Sequence, residues 1–240
     1  MYSGSVPFTI TRSELRSKGS VRRKRIAVGT ASAFTAIFLL LWYIGVFGGN
    51  VRTVDEGQVY RSAQITGSHL ETVLDGKKIK TVINLRGESS DTEWYRSELA
   101  SCNTRNIDHI DISLSAVRLP PPEELKKIFT AFDTARYPLL LHCRGGADRS
   151  GLTSVIYKHV YDKMPLDQAI ASQLTWRYGH IWFGQAHAMS DFFALYQKDK
   201  SGLGLRDWIT RKYPAVYVAQ PASMKGDAPD VAPKKQALGR

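Results

Sequence analysis

The sequence predicts an α/β fold: a central, mostly parallel sheet of four to five strands flanked by helices, preceded by one transmembrane helix. Three observations carry this. Short β-rich apolar runs alternate with helix-period segments between about Arg52 and Tyr213, the pattern of a sheet covered by helices. Before them stands an uncharged run of 26 residues, Ile26 to Val51, and about 20 apolar residues in a helix suffice to cross the hydrocarbon of a bilayer. From Pro214 onward, four prolines punctuate a stretch rich in Ala, Lys and Asp without apolar periodicity, the composition of a disordered tail. The expected organisation is a basic leader over 1–25, a membrane span over 26–49, a globular domain over 51–213 and a tail over 214–240.

Within the globular domain, QVYRS at 58–62 is a short strand candidate. Ser68 to Lys77 carries Leu70, Val73 and Leu74 at helical spacing, with Ser68 as cap. TVINL, Thr81 to Leu85, is a compact strand, and Asp91 caps a helix that runs to Arg105. IDHIDISL, Ile107 to Leu114, alternates apolar and polar residues as a strand does. Pro120-Pro121-Pro122-Glu123-Glu124 opens a helix to about Arg136, with proline tolerated and acids favoured in its first turn. Leu139 to His142 is a buried strand, Ser150 to Lys163 a helix, and helix-rich sequence follows to Tyr213.

Length and composition narrow the possibilities. The 240 residues accommodate one ordinary domain with tails. Two cysteines, Cys102 and Cys143, exclude a disulfide scaffold and a four-cysteine zinc site. The net charge of +11 suggests an acidic partner, but residues 1–25, with seven basic residues and one acid, contribute +6 of it. That leader abuts the apolar run and lacks interleaved stacking aromatics, so nucleic acid is not the expected partner. By the positive-inside rule the leader is cytoplasmic and the globular domain extracytoplasmic, in the periplasm of a Gram-negative cell. The alternative is a cleaved signal peptide. The run exceeds the 7–15 apolar residues of such a peptide, however, and no clear A-x-A site closes it before Val51.

The chemistry concentrates in Pro138-Leu-Leu-Leu-His-Cys-Arg-Gly-Gly-Ala-Asp-Arg-Ser-Gly151. A buried strand runs into Cys143, a five-residue loop follows, and Arg149 and Ser150 open a helix. A loop closing on a helix N-terminus aims several backbone N–H groups at one point, with the helix dipole behind them. Gly145 and Gly146 let the backbone curl tightly around an anion. The same field lowers the pKa of Cys143 and favours its thiolate. The planar fork of Arg149 suits two phosphate oxygens. Such a thiolate attacks phosphorus in line and forms a phosphocysteine, and the Ser150 hydroxyl is placed to stabilise it as it leaves.

Histidine, cysteine, five residues, arginine and serine between a strand and a helix resembles the signature of the cysteine-dependent protein tyrosine and dual-specificity phosphatases. VYRSAQ at 59–64, KTVINLRGE at 80–88 and LLLHCRGGADRSG at 139–151 look like the atypical bacterial branch, and the resemblance extends over roughly 51–200. It implies a dual-specificity phosphatase-like fold, Cys143 as nucleophile, and Arg149 as the phosphate-binding and transition-state residue. It further implies a cradle from Arg144, Gly145, Gly146, Ala147, Asp148 and Arg149, His142 tuning the thiolate, and Ser150 aiding its departure. It implies no cofactor and no metal. A sulfurtransferase of the rhodanese type is a distant alternative, since its loop is usually a residue shorter and lacks the HC…RSG frame.

The proton donor is less plain. The family normally supplies an Asp about 30 residues before the Cys, on a loop. Asp111 lies 32 residues before Cys143 but inside a predicted strand, and the loop Ser115 to Pro122 holds Arg118, three prolines and no acid. Asp148, within the cradle, is the other candidate, as in a subset of family members with Asp before the Arg. Both stay open. Arg61, Arg86, Arg118 and Arg144 are possible supporting or rim cations, with plain solvation the alternative for each. The aromatic segment Trp176 to Gln185 reads as a packing turn or as a lip over the site. His109 and His159 show no metal-ligand spacing, and Cys102 is not placed as a redox partner of Cys143. The expected function is a membrane-anchored phosphomonoester hydrolase acting on a phosphorylated protein, lipid or glycan. The rival is a catalytically silent module that binds phosphorylated partners.

Overall fold

The computed structural model describes residues 35–40, 42, 43, 45, 48–181 and 187–219. The chain divides into two compact units, Met1–Ile44 and Gly45–Arg240. In the first, the described residues are helical, and Ile37, Phe38, Leu39, Leu40 and Tyr43 are exposed. The leader 1–25, most of the expected span 26–49 and residues 220–240 lie outside the described residues. Among the described residues, no helix is long and apolar enough to cross a membrane. Gly48 and Gly49, expected to end the span, form a turn of the second unit instead.

Five four-residue strands form the sheet of the second unit: β1 (Arg52–Asp55), β2 (Val59–Ser62), β3 (Thr81–Asn84), β4 (Asp108–Asp111) and β5 (Leu139–His142), in the order β1-β2-β5-β3-β4. Only β1 runs antiparallel. Half-exposed and polar, with a register shift against β2, β1 has no apolar alternation and left no strand signal in the sequence. The central strand β5 is buried on both faces, as a parallel strand under two helical layers must be. Leu139 and Leu141 join one core with Leu125, Phe129, Val155 and Phe192, while Leu140 joins the other with Leu70, Leu74 and Cys102. This is the period-two alternation of a strand between two layers.

The helices are α1 (Gly67–Gly76), α2 (Glu93–Thr104), α3 (Pro122–Thr134), α4 (Asp148–Val160), α5 (Leu166–Gln173), α6 (Ala188–Asp199), α7 (Leu205–Arg211) and α8 (Tyr213–Ala219). Thr66 and Thr92 hold the N-cap positions of α1 and α2, so Ser68 and Asp91 are not the caps the sequence suggested. Helix α4 starts at Asp148, two residues before the expected Ser150. The expected tail also begins too early. Tyr213 is buried against Trp208 and Phe192, its hydroxyl donates to Pro120 O at 2.9 Å, and Val216 and Tyr217 pack on the core. Residues 213, 216 and 217 have i, i+3, i+4 spacing. Pro214 sits in the first turn, where its missing N–H costs nothing.

Candidate active site

The register of the parallel strands places the site. Ser62, His142, Asn84 and Asp111 stand side by side at the carboxyl ends of β2, β5, β3 and β4, the end at which open α/β sheets bind ligands. The loop after β5 begins there with Cys143 and closes on the N-terminus of α4.

Four successive carbonyls of that loop are held from behind. Arg144 O accepts from Gln64 N at 3.2 Å. Asn50 Nδ2 donates to Gly145 O at 3.0 Å and to Gly146 O at 3.1 Å. Arg61 Nη2 donates to Gly146 O and Ala147 O, each at 2.8 Å. Peptide planarity sets each C=O opposite the N–H of the next residue. Pulling these carbonyls back therefore turns the N–H groups of Gly145, Gly146, Ala147 and Asp148 the other way, a nest for an anion with the helix dipole behind it. Gly146 permits the curl: its φ is +65°, and a Cβ there would lie 2.5 Å from Ala63 N.

A cleft of about 800 Å³ opens over the loop, lined by Cys143, Arg144, Gly145, Asp148 and Arg149. Gly48, Gly49, Gln64, His69 and Val117 form its walls. Cys143 is 2% exposed and its Sγ lies 3.6 Å from Ser150 Oγ. Burial alone would push this thiol up. The charge of Arg149 and hydrogen bonds from the Ser150 hydroxyl and backbone outweigh it and hold Cys143 below the ordinary thiol range. Arg149 is 2% exposed and donates to Leu114 O at 3.3 Å. Cys102 differs: burial and the neighbouring Glu98 push it up to about 12, and it sits in the opposite core.

The two proton-donor candidates separate. Asp148 lines the cleft, and its Oδ1 lies 2.7 Å from Nδ1 of His180, which is 3% exposed. Asp111 lines no part of the cleft. Its Oδ1 accepts from Asn84 Nδ2 at 2.7 Å and its Oδ2 from the Tyr95 hydroxyl at 2.5 Å. Arg144 is exposed at the cleft rim, as expected. Ala116 and Val117, not Arg118, represent the covering loop in the cleft wall. Arg86 stacks on Trp94, 4.1 Å from the ring centroid.

Two residues support the loop from behind: Arg61, which the sequence offered as a possible supporting cation, and Asn50, which it did not. Arg61, for which solvation was the simpler expectation, is fully buried. It also donates to Gln173 O at 2.8 Å and lies 5.1 Å from the Tyr178 ring centroid. Burial lowers its pKa to about 10, so it remains a cation at neutral pH. A charged residue in a strand otherwise headed for the core was the available signal. Asn50, which also donates to Tyr178 O at 2.8 Å, left none. Within the segment Trp176 to Gln185, Tyr178 and His180 thus brace the loop from behind, and residues 182–185 lie outside the described residues.

Glu98, 1% exposed, accepts from both His142 Nε2 and His109 Nε2 at 2.9 Å. Burial would raise its carboxyl, but the two imidazoles hold it far below the usual carboxylate range. Its place on α2, three residues after buried Tyr95 and four before buried Cys102, marked the buried face. The donor atoms of these three residues lie within 4.8 Å of one another, a grouping that linear spacing did not reveal. At hydrogen-bond distance, the carboxylate itself holds both rings.

A thiol at the floor of an N–H cradle, with an arginine and a serine beside it at the end of a parallel strand, defines a cysteine-dependent phosphatase site. Residues 44–189 match the family described as DSP-PTPase phosphatase fused to NAD+ kinase. The chain belongs to this family of dual-specificity-type phosphatases, which are phosphoric monoester hydrolases. No curated protein matches the sequence. Among solved structures, the chain is similar to a DUF442 protein of Shewanella putrefaciens, at 17% identity over 66% of this chain and 97% of that one, with a TM-score of 0.49. It is also similar to TpbA of P. aeruginosa, at 20% identity over 68% and 89%, with a TM-score of 0.48. A mutant form of Tk-PTP gives 18% over 62% and 96%, with a TM-score of 0.48.

Proposed function

We propose that the chain hydrolyses a phosphomonoester through a phosphocysteine, and that the observation carrying this is the cradle with Cys143 at its floor. The Cys143 thiolate attacks phosphorus in line and the P–O bond to the leaving group breaks. Asp148 gives its proton to the departing oxygen, and Arg149 with the loop N–H groups holds the equatorial oxygens. Water then attacks the phosphocysteine and gives a proton to the Asp148 carboxylate. The S–P bond breaks, and Ser150 hydrogen-bonds the released thiolate. Asp148→Asn is expected to slow phenyl phosphate hydrolysis about 100-fold or more and p-nitrophenyl phosphate far less, because only the former needs a donated proton. The same selectivity in Asp111→Asn would overturn the assignment.

The chain is anchored by its N-terminal apolar run, with the leader cytoplasmic and the catalytic unit on the opposite side. Two observations favour this. The described part of the run exposes Ile37, Phe38, Leu39, Leu40 and Tyr43, side chains that lipid covers without the cost water imposes. Residues 26–47, up to the first cleft glycine, still amount to a span of the required length. Because Gly48 and Gly49 line the cleft, the chain enters the active-site wall directly after the apolar run. An anchor of this kind keeps the catalytic unit tethered to a membrane. This favours a phosphate carried on a membrane component, with phosphorylated protein and glycan as the other substrate classes.

The test is hydrolysis by the full chain in vesicles of a lipid phosphomonoester against its soluble headgroup phosphate. A preference for the lipid of about tenfold or more is expected from effective concentration at the surface, lost when residues 1–44 are removed. Equal rates would remove the lipid preference. A topology reporter after Arg240 checks the orientation.

A further inference from the structure

We infer that His180 is a positioning residue for the proton transfer, an inference that rests on reading Asp148 as the proton donor. Sequence alone read the segment around His180 as a packing turn or as a lip over the site. In the fold its ring is buried, with Nδ1 2.7 Å from Asp148 Oδ1 and Nε2 3.4 Å from Ser190 Oγ. Asp148 is half-buried at the cleft, while the imidazole stands behind it, outside the residues that line the cleft.

The geometry assigns the two oxygens of Asp148 different tasks. With Nδ1–H donating to Oδ1, the proton that Asp148 delivers must ride on Oδ2. In the first step that proton passes from Oδ2 to the leaving oxygen as the P–O bond breaks. A carboxylate forms beside a donor already in place, so the hydrogen bond strengthens as charge develops. An interaction that grows along the reaction lowers the barrier rather than the ground state. In the second step the carboxylate takes a proton from the attacking water, and the same Nδ1–H holds it ready on its other edge. His180 itself neither gains nor loses a proton.

The test uses the full chain in detergent, with phenyl and p-nitrophenyl phosphate as substrates. His180→Phe fills the space but removes the donor; His180→Asn places an amide N–H near the position of Nδ1. His180→Phe is expected to lower kcat/KM on phenyl phosphate about 10- to 100-fold and on p-nitrophenyl phosphate less than about threefold. His180→Asn is expected to recover most of the loss, and His180→Phe in an Asp148→Asn background to cost nothing further. Equal losses on both substrates, or no recovery by Asn, would overturn the inference. If Asp148→Asn shows the leaving-group selectivity and His180→Phe does not, the His180 role fails while the Asp148 reading stands. If Asp148→Asn shows none, both fail. Should the Phe variant not fold, His180→Ala against His180→Asn gives the same comparison, with Tm measured alongside.

Discussion

Cys143→Ser is expected to abolish turnover of an aryl phosphate, by roughly 10⁴-fold or more, while leaving phosphate binding in place. The two effects separate because different atoms carry them. The cradle is made of backbone N–H groups and Arg149, and a serine hydroxyl leaves both untouched. What disappears is the nucleophile: a serine hydroxyl is not ionised by a field that suffices for a thiol. The pH dependence follows. Attack needs the thiolate, so activity falls as pH drops through the pKa of Cys143. That pKa lies below the ordinary thiol range, although burial opposes it, because Arg149 and Ser150 outweigh the burial. The acid limb of kcat/KM, and the midpoint for alkylation of Cys143, should therefore fall below those of a free thiol. Ser150→Ala should move both upward, since it removes a hydrogen bond that favours the charged form. Calorimetry with inorganic phosphate reports the retained binding of Cys143→Ser. Phosphate binding by a wild-type chain that turns over nothing would instead favour a silent binding module.

What the sequence revealed and what it hid divide by sequence separation. The strand, the loop and the first turn of α4 are contiguous from Leu139 to Gly151, so residue types and spacing alone announce the chemistry of Cys143, Arg149 and Ser150. The parallel sheet was legible for the same reason: Thr81–Asn84 and Leu139–His142 are fully buried strands and read as apolar runs. The residues that aim the loop come from elsewhere. Asn50 reaches Tyr178 across 128 positions, Arg61 reaches Gly146 across 85, and His180 reaches Asp148 across 32. Each is polar and, read singly, suits a solvated surface as well as a buried bond. Only closure of the sheet and docking of the 176–180 turn decide between the two. Asp111 shows the converse: its distance from Cys143 along the chain suited a proton donor, but strand register commits it to Asn84 and Tyr95.

Arg61 gives the sharpest test of that hidden layer. Replacing it by methionine keeps volume but leaves Gln173 O without the donor it has now and takes one of two donors from Gly146 O and Ala147 O, which keep Asn50 Nδ2 and the Gly151 N–H. One orphaned buried acceptor costs about 1–3 kcal/mol and each of the two further hydrogen bonds lost about 1 kcal/mol, so the variant is expected to lose about 3–5 kcal/mol, a fall in Tm of roughly 6–20 °C for a domain of this size. Lysine discriminates further. It keeps the charge that favours the Cys143 thiolate, and it retains donors, but one ammonium cannot bridge Gln173 on one side and two loop carbonyls on the other as a planar fork does. Arg61→Lys should therefore fold more stably than Arg61→Met. It should still lose about 10- to 100-fold in kcat/KM and weaken inorganic phosphate as a competitive inhibitor, because a relaxed loop no longer presents its N–H groups together. The alkylation midpoint of Cys143 should stay nearer the wild-type value in Lys than in Met. A lysine variant with wild-type kinetics would mean that Asn50 and the Gln64 N–H suffice to hold the loop, and that Arg61 supplies charge and packing without aiming the cradle.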